Sequence, residues 1–244
     1  MYGTTLPYLV TDDDREKFRI GGKALTPEKI QEVFELVRAD DHDFFIEAFT
    51  LTQAIDPTTG DSLLHVAVRA GSMDGVVKLM ERFDRARRPR PPRPFYTWAY
   101  HAFIAHQNYN GDTVFHVAAR NGNLLLMKMI YRYIDPHWSA VCPEDDSDAP
   151  EEDVYPITVD EEYSTPRLML LLTKNRAGRD IIAEARLVGN DGLADWLDAI
   201  VDRLDPKRDR RTEEGIAEMT AKVRQWFWYD MMSERQQKQL KSNE

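Results

Sequence analysis

The sequence of 244 residues predicts an all-α fold, a helical solenoid of about four stacked helix–turn–helix units. Two stretches carry this prediction: GDSLLHVAVRAGS at 60–72 and GDTVFHVAARNGN at 111–123, which are identical at seven of thirteen positions. An apolar stripe at helical spacing follows each stretch, at 76–80 and at 124–130. Because one such unit cannot bury its apolar face alone, we expect the copies to stack on one another.

The residues at fixed positions in each unit predict a capped helix of defined length. Ser62 and Thr113 are placed to cap a helix N-terminus, since a hydroxyl oxygen can accept a backbone N–H. Gly71 and Gly122 are placed to end the same helix in the left-handed conformation that glycine adopts at least cost. The residues expected to maintain the repeat are Gly60, His65, Gly71, Gly111, Thr113, His116, Gly122, Gly178 and Gly189.

Both stretches resemble the ankyrin repeat, with its signature G-x-T-P-L-H-x-A-A-x-x-G. They depart from it at the proline position, where Leu63 and Val114 stand. The resemblance implies a solenoid that binds proteins and needs no cofactor. It also implies that His65 and His116 hydrogen-bond the backbone of the adjoining turn and so hold neighbouring units together.

Two degenerate units flank the clear ones. The downstream unit keeps the spacing from Gly178 to Gly189, with Asp180 in place of the hydroxyl residue and Ala183 in place of the histidine. The upstream unit opens with the sequence TPE at 26–28, a cap followed by a first-turn proline and an acidic residue. We therefore divide the chain into an extended N-terminal arm (1–26), a repeat domain (27–204) and a C-terminal segment (205–244).

Two long insertions separate the units. Gly60 and Gly111 lie 51 residues apart and Gly111 and Gly178 lie 67 apart, against about 33 in a regular array. The excess falls at about 84–105 and 141–166, between the second helix of one unit and the turn of the next. The resemblance implies that these segments leave the stack as fingers along the edge that binds partners.

The first insertion is rich in arginine, proline and aromatic residues. Arg88, Pro91 and Pro94 match a short ligand pattern of SH3 domains, and the basic run could instead meet an acidic protein surface or nucleic acid. The aromatic part favours a short helix packed on the stack. The residues we expect to contact partners, here and in the C-terminal helix, are Arg87, Arg88, Arg90, Arg93, Tyr96, Trp98, Trp226 and Trp228.

The second insertion is acidic, with ten acidic residues and no basic one from Glu144 to Glu162. Three interpretations remain open: a charge match with the basic insertion, contact with a partner, or a solvated loop. The spacing of a calcium-binding loop is absent, so we expect no metal.

The C-terminal segment consists of a charged linker (205–211), a helix and a polar tail. The helix is predicted to begin after Thr212 and to reach about Ser233, with a wide apolar side. It either caps the open end of the stack or binds a partner through an exposed apolar patch.

Composition excludes several classes of function. The net charge of −10 argues against general binding of nucleic acid, and the single cysteine, Cys142, excludes an internal disulfide. The start lacks the pattern of a signal peptide and no apolar run is long enough to span a bilayer, so an intracellular, cytoplasmic or cytoskeletal protein is expected. The sequence contains none of the common catalytic or nucleotide-binding motifs, and we expect the chain not to be an enzyme.

The predicted function is a non-catalytic interaction module that serves as a structural or scaffold component of a larger intracellular assembly. A soluble adaptor that reversibly binds an enzyme or signalling protein is the alternative. Nucleic-acid contact through the arginine-rich insertion is a weaker one.

Overall fold

The computed structural model describes residues 26–39, 41, 51, 54–85, 103–133 and 161–231. The all-α prediction is confirmed for this part of the chain, which contains helices, turns and one isolated β-bridge but no strand. The nine helices are α1 (Pro27–Arg38), α2 (Leu63–Ala70), α3 (Met73–Arg85), α4 (Val114–Asn121), α5 (Leu124–Tyr133), α6 (Glu161–Leu172), α7 (Ile181–Leu187), α8 (Asp191–Leu204) and α9 (Glu213–Met231).

Side-chain caps begin α1, α2 and α7. Ser62 accepts the backbone N–H of His65 at the start of α2, and Asp180 accepts that of Ala183 at the start of α7, at 2.9 Å. Thr26 caps α1 in the same way. Each cap satisfies a backbone donor that has no partner inside its helix, which sets the first residue of the helix. At the start of α4 the hydroxyl of Thr113, which was predicted to cap it, accepts no backbone N–H, and the N–H of Thr113 donates instead to Nδ1 of His116 at 3.1 Å.

The helices pack in two layers. Helices α1, α2, α4 and α7 contact one another in that order and form the first layer. In the second layer α3 packs against α5, and α6 packs against α8. The two layers meet because α2, α4 and α7 each contact the helix that follows in the chain. The core lies between the layers and includes Leu64, Leu79, Phe115, Leu171 and Leu197, all fully buried.

Helix α6 was not foreseen as a helix, because the predicted second insertion extended to residue 166. Residues 161–166 instead form the first half of α6, with Pro166 inside it. Leu168, Leu170 and Leu171 are buried, as is Arg167, which is 1% exposed. The last residues of the first insertion pack into the core, since Phe103, Ile104 and Ala105 are buried. Residues 84 and 85 belong to the end of α3, and residues 86–102 and 141–160 lie outside the described residues.

The linker between α8 and α9 is held by ion pairs. Arg211 bonds to Asp202 at 2.6 Å and to Asp205 at 3.3 Å, and Arg208 bonds to Asp202 at 2.9 Å. A Cβ at Gly215 would lie 2.5 Å from the carbonyl oxygen of Asp209, so the start of α9 can approach the linker only with glycine there. Helix α9 therefore has a defined direction as it leaves the stack.

Helix α9 packs against α6, and its residues Met219 and Val223 are buried. The helix is described as far as Met231, and its predicted end near Ser233 lies outside the described residues. No helix in the described ranges is long and apolar enough to cross a membrane.

Candidate partner-binding surface

Three turns of similar backbone structure precede α2, α4 and α7. In the second turn the N–H of Asn108 donates to the carbonyl of Asp112 at 2.9 Å, and in the third that of Asn175 donates to Arg179 at the same distance. The side-chain oxygen of each asparagine accepts two further backbone N–H groups of its own turn. In the first turn, which is one residue longer, Asp56 has this role. Sequence comparison alone did not identify these three residues.

The turns are joined in a row by backbone hydrogen bonds. The N–H of Tyr109 donates to the carbonyl of Thr59 at 3.0 Å, and that of Arg176 donates to Asn110 at 2.9 Å. Their side chains are joined as well, since the Asn108 amide donates to Asp61 at 2.8 Å and the Asn175 amide to Asp112 at 3.0 Å. The three turns consequently form one continuous edge.

Two buried histidines connect each unit to the next. Nε2 of His65 lies 2.9 Å from the carbonyl oxygen of Asp112, and Nε2 of His116 lies 3.1 Å from that of Arg179. Nδ1 of each ring lies 2.8 Å from the hydroxyl of the N-cap residue, Ser62 or Thr113. Because a carbonyl oxygen can only accept, Nε2 carries the ring proton and Nδ1 accepts from the hydroxyl.

Both histidines are neutral. Burial lowers the pKa of His65 to about 4, even though the Asp112 carbonyl and the charge of Asp61 act in the opposite direction. Burial lowers the pKa of His116 as well. Both ring nitrogens of each residue are already used in hydrogen bonds, so these imidazoles have no free nitrogen with which to bind a ligand.

A third buried histidine has a role that the sequence did not reveal. Nε2 of His106 donates to the carbonyl oxygen of Gly60 at 2.7 Å, and its ring packs edge-on against His65 at a centroid distance of 5.5 Å. No local pattern in the sequence indicates this contact, because it joins residues 46 positions apart.

Charged side chains follow the row of turns. In the first unit Arg69, at the end of α2, pairs with Asp61, and in the second Arg120, at the end of α4, pairs with Asp112 through both guanidinium Nη atoms. Each pair is bidentate and joins the end of a helix to the turn that precedes it. The two units are thus locally neutral at this position.

The third unit has a different arrangement. Arg179 stands where Asp61 and Asp112 stand in the other units, and the fully buried Glu184 stands where Val66 and Val117 stand. Nε of Arg179 donates to Glu184 at 2.9 Å, as does the Asn175 amide at 2.6 Å.

Glu184 also lies 3.3 Å from Nη1 of Arg120. Burial alone would raise the pKa of Glu184, but the hydrogen bonds from Arg179 and Asn175 and the nearby arginine charges outweigh it and lower that pKa. The carboxylate is therefore ionised and lies behind two guanidinium groups.

These side chains surround a concavity of about 560 Å³ between the second and third turns. We refer to it as the arginine pocket, defined by Arg69, Arg120, Arg176 and Arg179. Asp112, Asn110 and Asn175 also line it, and no aromatic residue is among the described residues of its wall. The signal in the sequence was the arginine at 179, where the repeat has aspartate.

The predicted contact residues lie outside the part of the chain whose side chains the structure describes. Residues 86–102, which include all six of those expected in the first insertion (Arg87, Arg88, Arg90, Arg93, Tyr96 and Trp98), lie outside the described residues. Trp226 and Trp228 belong to α9, and the positions of their side chains also lie outside the described part.

The predicted structural residues are all described. Gly71 and Gly122 end α2 and α4 with φ of 71° and 66°, and the turn glycines Gly60, Gly111 and Gly178 have φ between 73° and 75°. Gly189, between α7 and α8, has φ of 75°.

Comparison with known proteins adds a distant likeness to solved structures. No protein-family model and no curated protein matches the chain. A crystal structure of the yeast ribosomal protein Rps3 in complex with its chaperone Yar1 aligns with a TM-score of 0.48 and 18% sequence identity. The alignment covers 70% of this chain and 92% of that chain. At this TM-score the likeness assigns neither a fold family nor a partner to the chain.

Proposed function

We propose that this chain is a non-catalytic protein–protein interaction module of the ankyrin-repeat type, and that it serves as a structural or scaffold component of a larger intracellular assembly. The observation that carries the proposal is the continuous edge of hydrogen-bonded turns. Each turn is joined to the next by a backbone hydrogen bond, and the buried imidazoles of His65 and His116 also join each unit to the next. Such an edge presents side chains from several units at fixed spacing, which is what recognition of a protein surface requires.

The use of the titratable groups supports a non-catalytic role. His65 and His116 are neutral and engaged at both nitrogens, and the carboxylates of Asp61, Asp112 and Glu184 are each bonded to arginine. A general acid or base must be able to exchange a proton with a substrate, and these groups are committed to the contacts between units.

The junction with α9 favours a scaffold over an adaptor. The ion pairs from Arg208 and Arg211 to Asp202 and Asp205 fix the direction of the helix that carries Trp226 and Trp228. A helix held in this way adds a second binding surface in a constant orientation to the first. That arrangement suits a chain positioned between neighbours in an assembly.

Affinity purification of the tagged full chain at low and high salt, with mass spectrometry of the recovered proteins, tests the proposal. A variant lacking 86–102, which retains the buried Phe103–Ala105, is purified in parallel as a test of the basic insertion. The proposal predicts a reproducible set of proteins that survives high salt. Recovery of one enzyme or signalling protein that is lost in salt would support the adaptor instead, and recovery of no specific protein would refute an interaction module.

A further inference from the structure

We propose that the arginine pocket binds an acidic peptide segment of a partner protein, through carboxylates that reach Arg176 and Arg179. This inference rests on the proposed function, since it assigns the chemistry of one partner contact. It begins from the difference between the third unit and the other two.

The third unit adds positive charge at the surface and places the compensating negative charge inside. In the first two units, the turn carboxylate is satisfied by the arginine at the end of the following helix. In the third, Leu187 stands at that helix position and Arg179 in the turn, while Glu184 is fully buried. The two guanidinium groups of Arg120 and Arg179 both approach Glu184 and face the pocket with their remaining atoms.

The arginine donors are only partly used. Arg179 donates from Nε to Glu184, and within the described residues its two Nη atoms make no hydrogen bond. Arg176 is exposed, and within the same residues its guanidinium has no hydrogen bond or ion pair. The Arg179 side chain remains 41% exposed in its ion pair with Glu184, so the outer edge of its guanidinium can still contact a ligand. Planar guanidinium groups with free N–H pairs match carboxylates in a bidentate geometry.

Arg176 is held in place by its backbone. Its N–H donates to Asn110 in the preceding turn, and its Cγ lies 3.2 Å from the position that a Cβ on Gly111 would take. The stem of the side chain therefore passes close to Gly111 of the preceding turn, where the absence of a Cβ leaves room for it. This limits the freedom that the side chain loses when it binds, which reduces the entropic cost of the contact.

The wall of the pocket favours a peptide over nucleic acid. Proteins that bind single strands stack the bases on aromatic side chains, and the described lining residues include none. The net charge of −10 also repels a long polyanion more strongly than a short acidic segment.

The acidic insertion of the same chain is the competing occupant of the pocket. It precedes Glu161, the first residue of α6, and the pocket lies beyond the last residue of that helix, Leu172. The helix separates these two points by roughly 17 Å at 1.5 Å per residue. An extended chain covers that distance in about five or six residues, so the deletion variant described below tests this occupant directly.

The test measures binding of a fluorescein-labelled hexaglutamate peptide by anisotropy, with hexaglutamine as the uncharged probe. Arg176→Glu removes the exposed guanidinium, and Arg203→Glu is the matched control, because Arg203 is an exposed arginine on α8 and the change in net charge is the same. We expect hexaglutamate to bind the wild type in a salt-dependent manner, Arg176→Glu to weaken it at least tenfold, and Arg203→Glu to alter it less than twofold. Equal losses in the two variants, or no binding of hexaglutamate by any form, would overturn the proposal.

Two further arms separate the other occupants. A variant lacking 144–153 tests the chain's own acidic segment: if only this variant binds hexaglutamate, and Arg176→Glu abolishes that binding, the pocket is internally occupied and the proposal is wrong. A labelled hexathymidylate tests nucleic acid, and binding tighter than that of hexaglutamate would also refute it. Unchanged affinity in the deletion variant and weak binding of the oligonucleotide agree with the proposal.

The affinity purification repeated with Arg176→Glu separates this inference from the proposed function. Loss of at least one protein that the Arg203→Glu form retains is the expected result. If both forms recover the same salt-resistant set, the pocket assignment fails while the interaction module stands. If the wild type recovers nothing specific, the proposed function fails whatever the peptide measurements show.

Discussion

The second and third units have closely similar turn backbones but opposite charge at the same position. In both, an asparagine opens the turn, a glycine with positive φ stands before its last residue and an N-cap residue precedes the helix. Yet Asp112 in the second unit becomes Arg179 in the third, and His116 becomes Ala183. The turn is thus determined by backbone-bonding residues, which leaves the charge on its outer side free to change.

The loss of the histidine has a physical reason. Nε2 of His116 needs a carbonyl in the following turn, and it finds that of Arg179. In the described part of the chain the turn at 175–179 is the last in the hydrogen-bonded row, so an imidazole at 183 would have no such carbonyl to reach. An imidazole at this half-buried position would lose the bond that His116 makes to the next unit, and alanine leaves no polar group without a partner.

The turn glycines differ for the same reason. A Cβ at Gly111 would lie 2.7 Å from the backbone nitrogen of Arg176, whereas a Cβ at Gly178 meets nothing within 4 Å. Both glycines have positive φ, so replacing either by a residue with a Cβ would introduce backbone strain. Only at Gly111 would the added Cβ also clash with the next turn.

Substitution at these glycines should give the largest effect. We expect Gly111→Ala to lower the free energy of unfolding by about 3–4 kcal/mol, from left-handed strain together with overpacking against backbone. Gly178→Ala, with strain alone, should cost about 1 kcal/mol. Urea unfolding followed by circular dichroism measures both, and equal losses would contradict the claim that the third turn ends the row.

Acid should destabilise the first unit before it affects the carboxylates. The pKa of His65 falls from 6.5 to about 4 on folding, so below pH 6.5 the unfolded chain takes up a proton that the folded protein does not. The free energy of unfolding should therefore fall between pH 6.5 and pH 4, by about 3 kcal/mol at 1.36 kcal/mol per pKa unit. His116, whose pKa is also lowered, acts in the same direction.

Urea unfolding at pH 7 and pH 5 measures this dependence. His65→Gln should show a smaller fall over the same interval, since glutamine has no proton to gain. A wild-type stability that is constant from pH 7 to pH 5 would show that the imidazoles are not buried in the neutral state.

Removal of the buried charge in the third unit should have an intermediate effect. Glu184→Gln leaves Arg120 and Arg179 close together without the anion between them, and we expect a loss of about 2 kcal/mol. In a double-mutant cycle, Arg179→Gln should recover part of that loss, because it removes one of the two cations. Additive losses would show that Arg179 and Glu184 do not interact.

The smallest effect should come from equivalent positions at the ends of α2 and α7. Arg69→Leu breaks a half-exposed ion pair with Asp61 and should cost about 1 kcal/mol, whereas Leu187→Arg replaces a side chain that is 63% exposed and should change stability by less than about 0.5 kcal/mol. Thermal unfolding of the two variants gives the comparison. A loss from Leu187→Arg as large as that from Arg69→Leu would show that Leu187 contributes to packing.

The local structure of the units could be predicted because its causes lie within a few residues. Ser62 and Asp180 cap helices that begin immediately after them, and Gly71 follows the helix that it ends. Helix α6 was missed because its acidic beginning and Pro166 are typical of a chain outside a helix. Burial of Leu168 and Leu171 in the core stabilises the helix against these local preferences.

The sequence by itself determined where the turns and capped helices of this protein lie, because backbone conformation at a cap or a positive-φ glycine depends on adjacent residues. The tertiary structure alone decided which charged groups meet. The Arg120–Glu184 and Asn175–Asp112 contacts join residues more than 60 positions apart. The packing of successive units places them together, and burial then makes their electrostatic interaction strong.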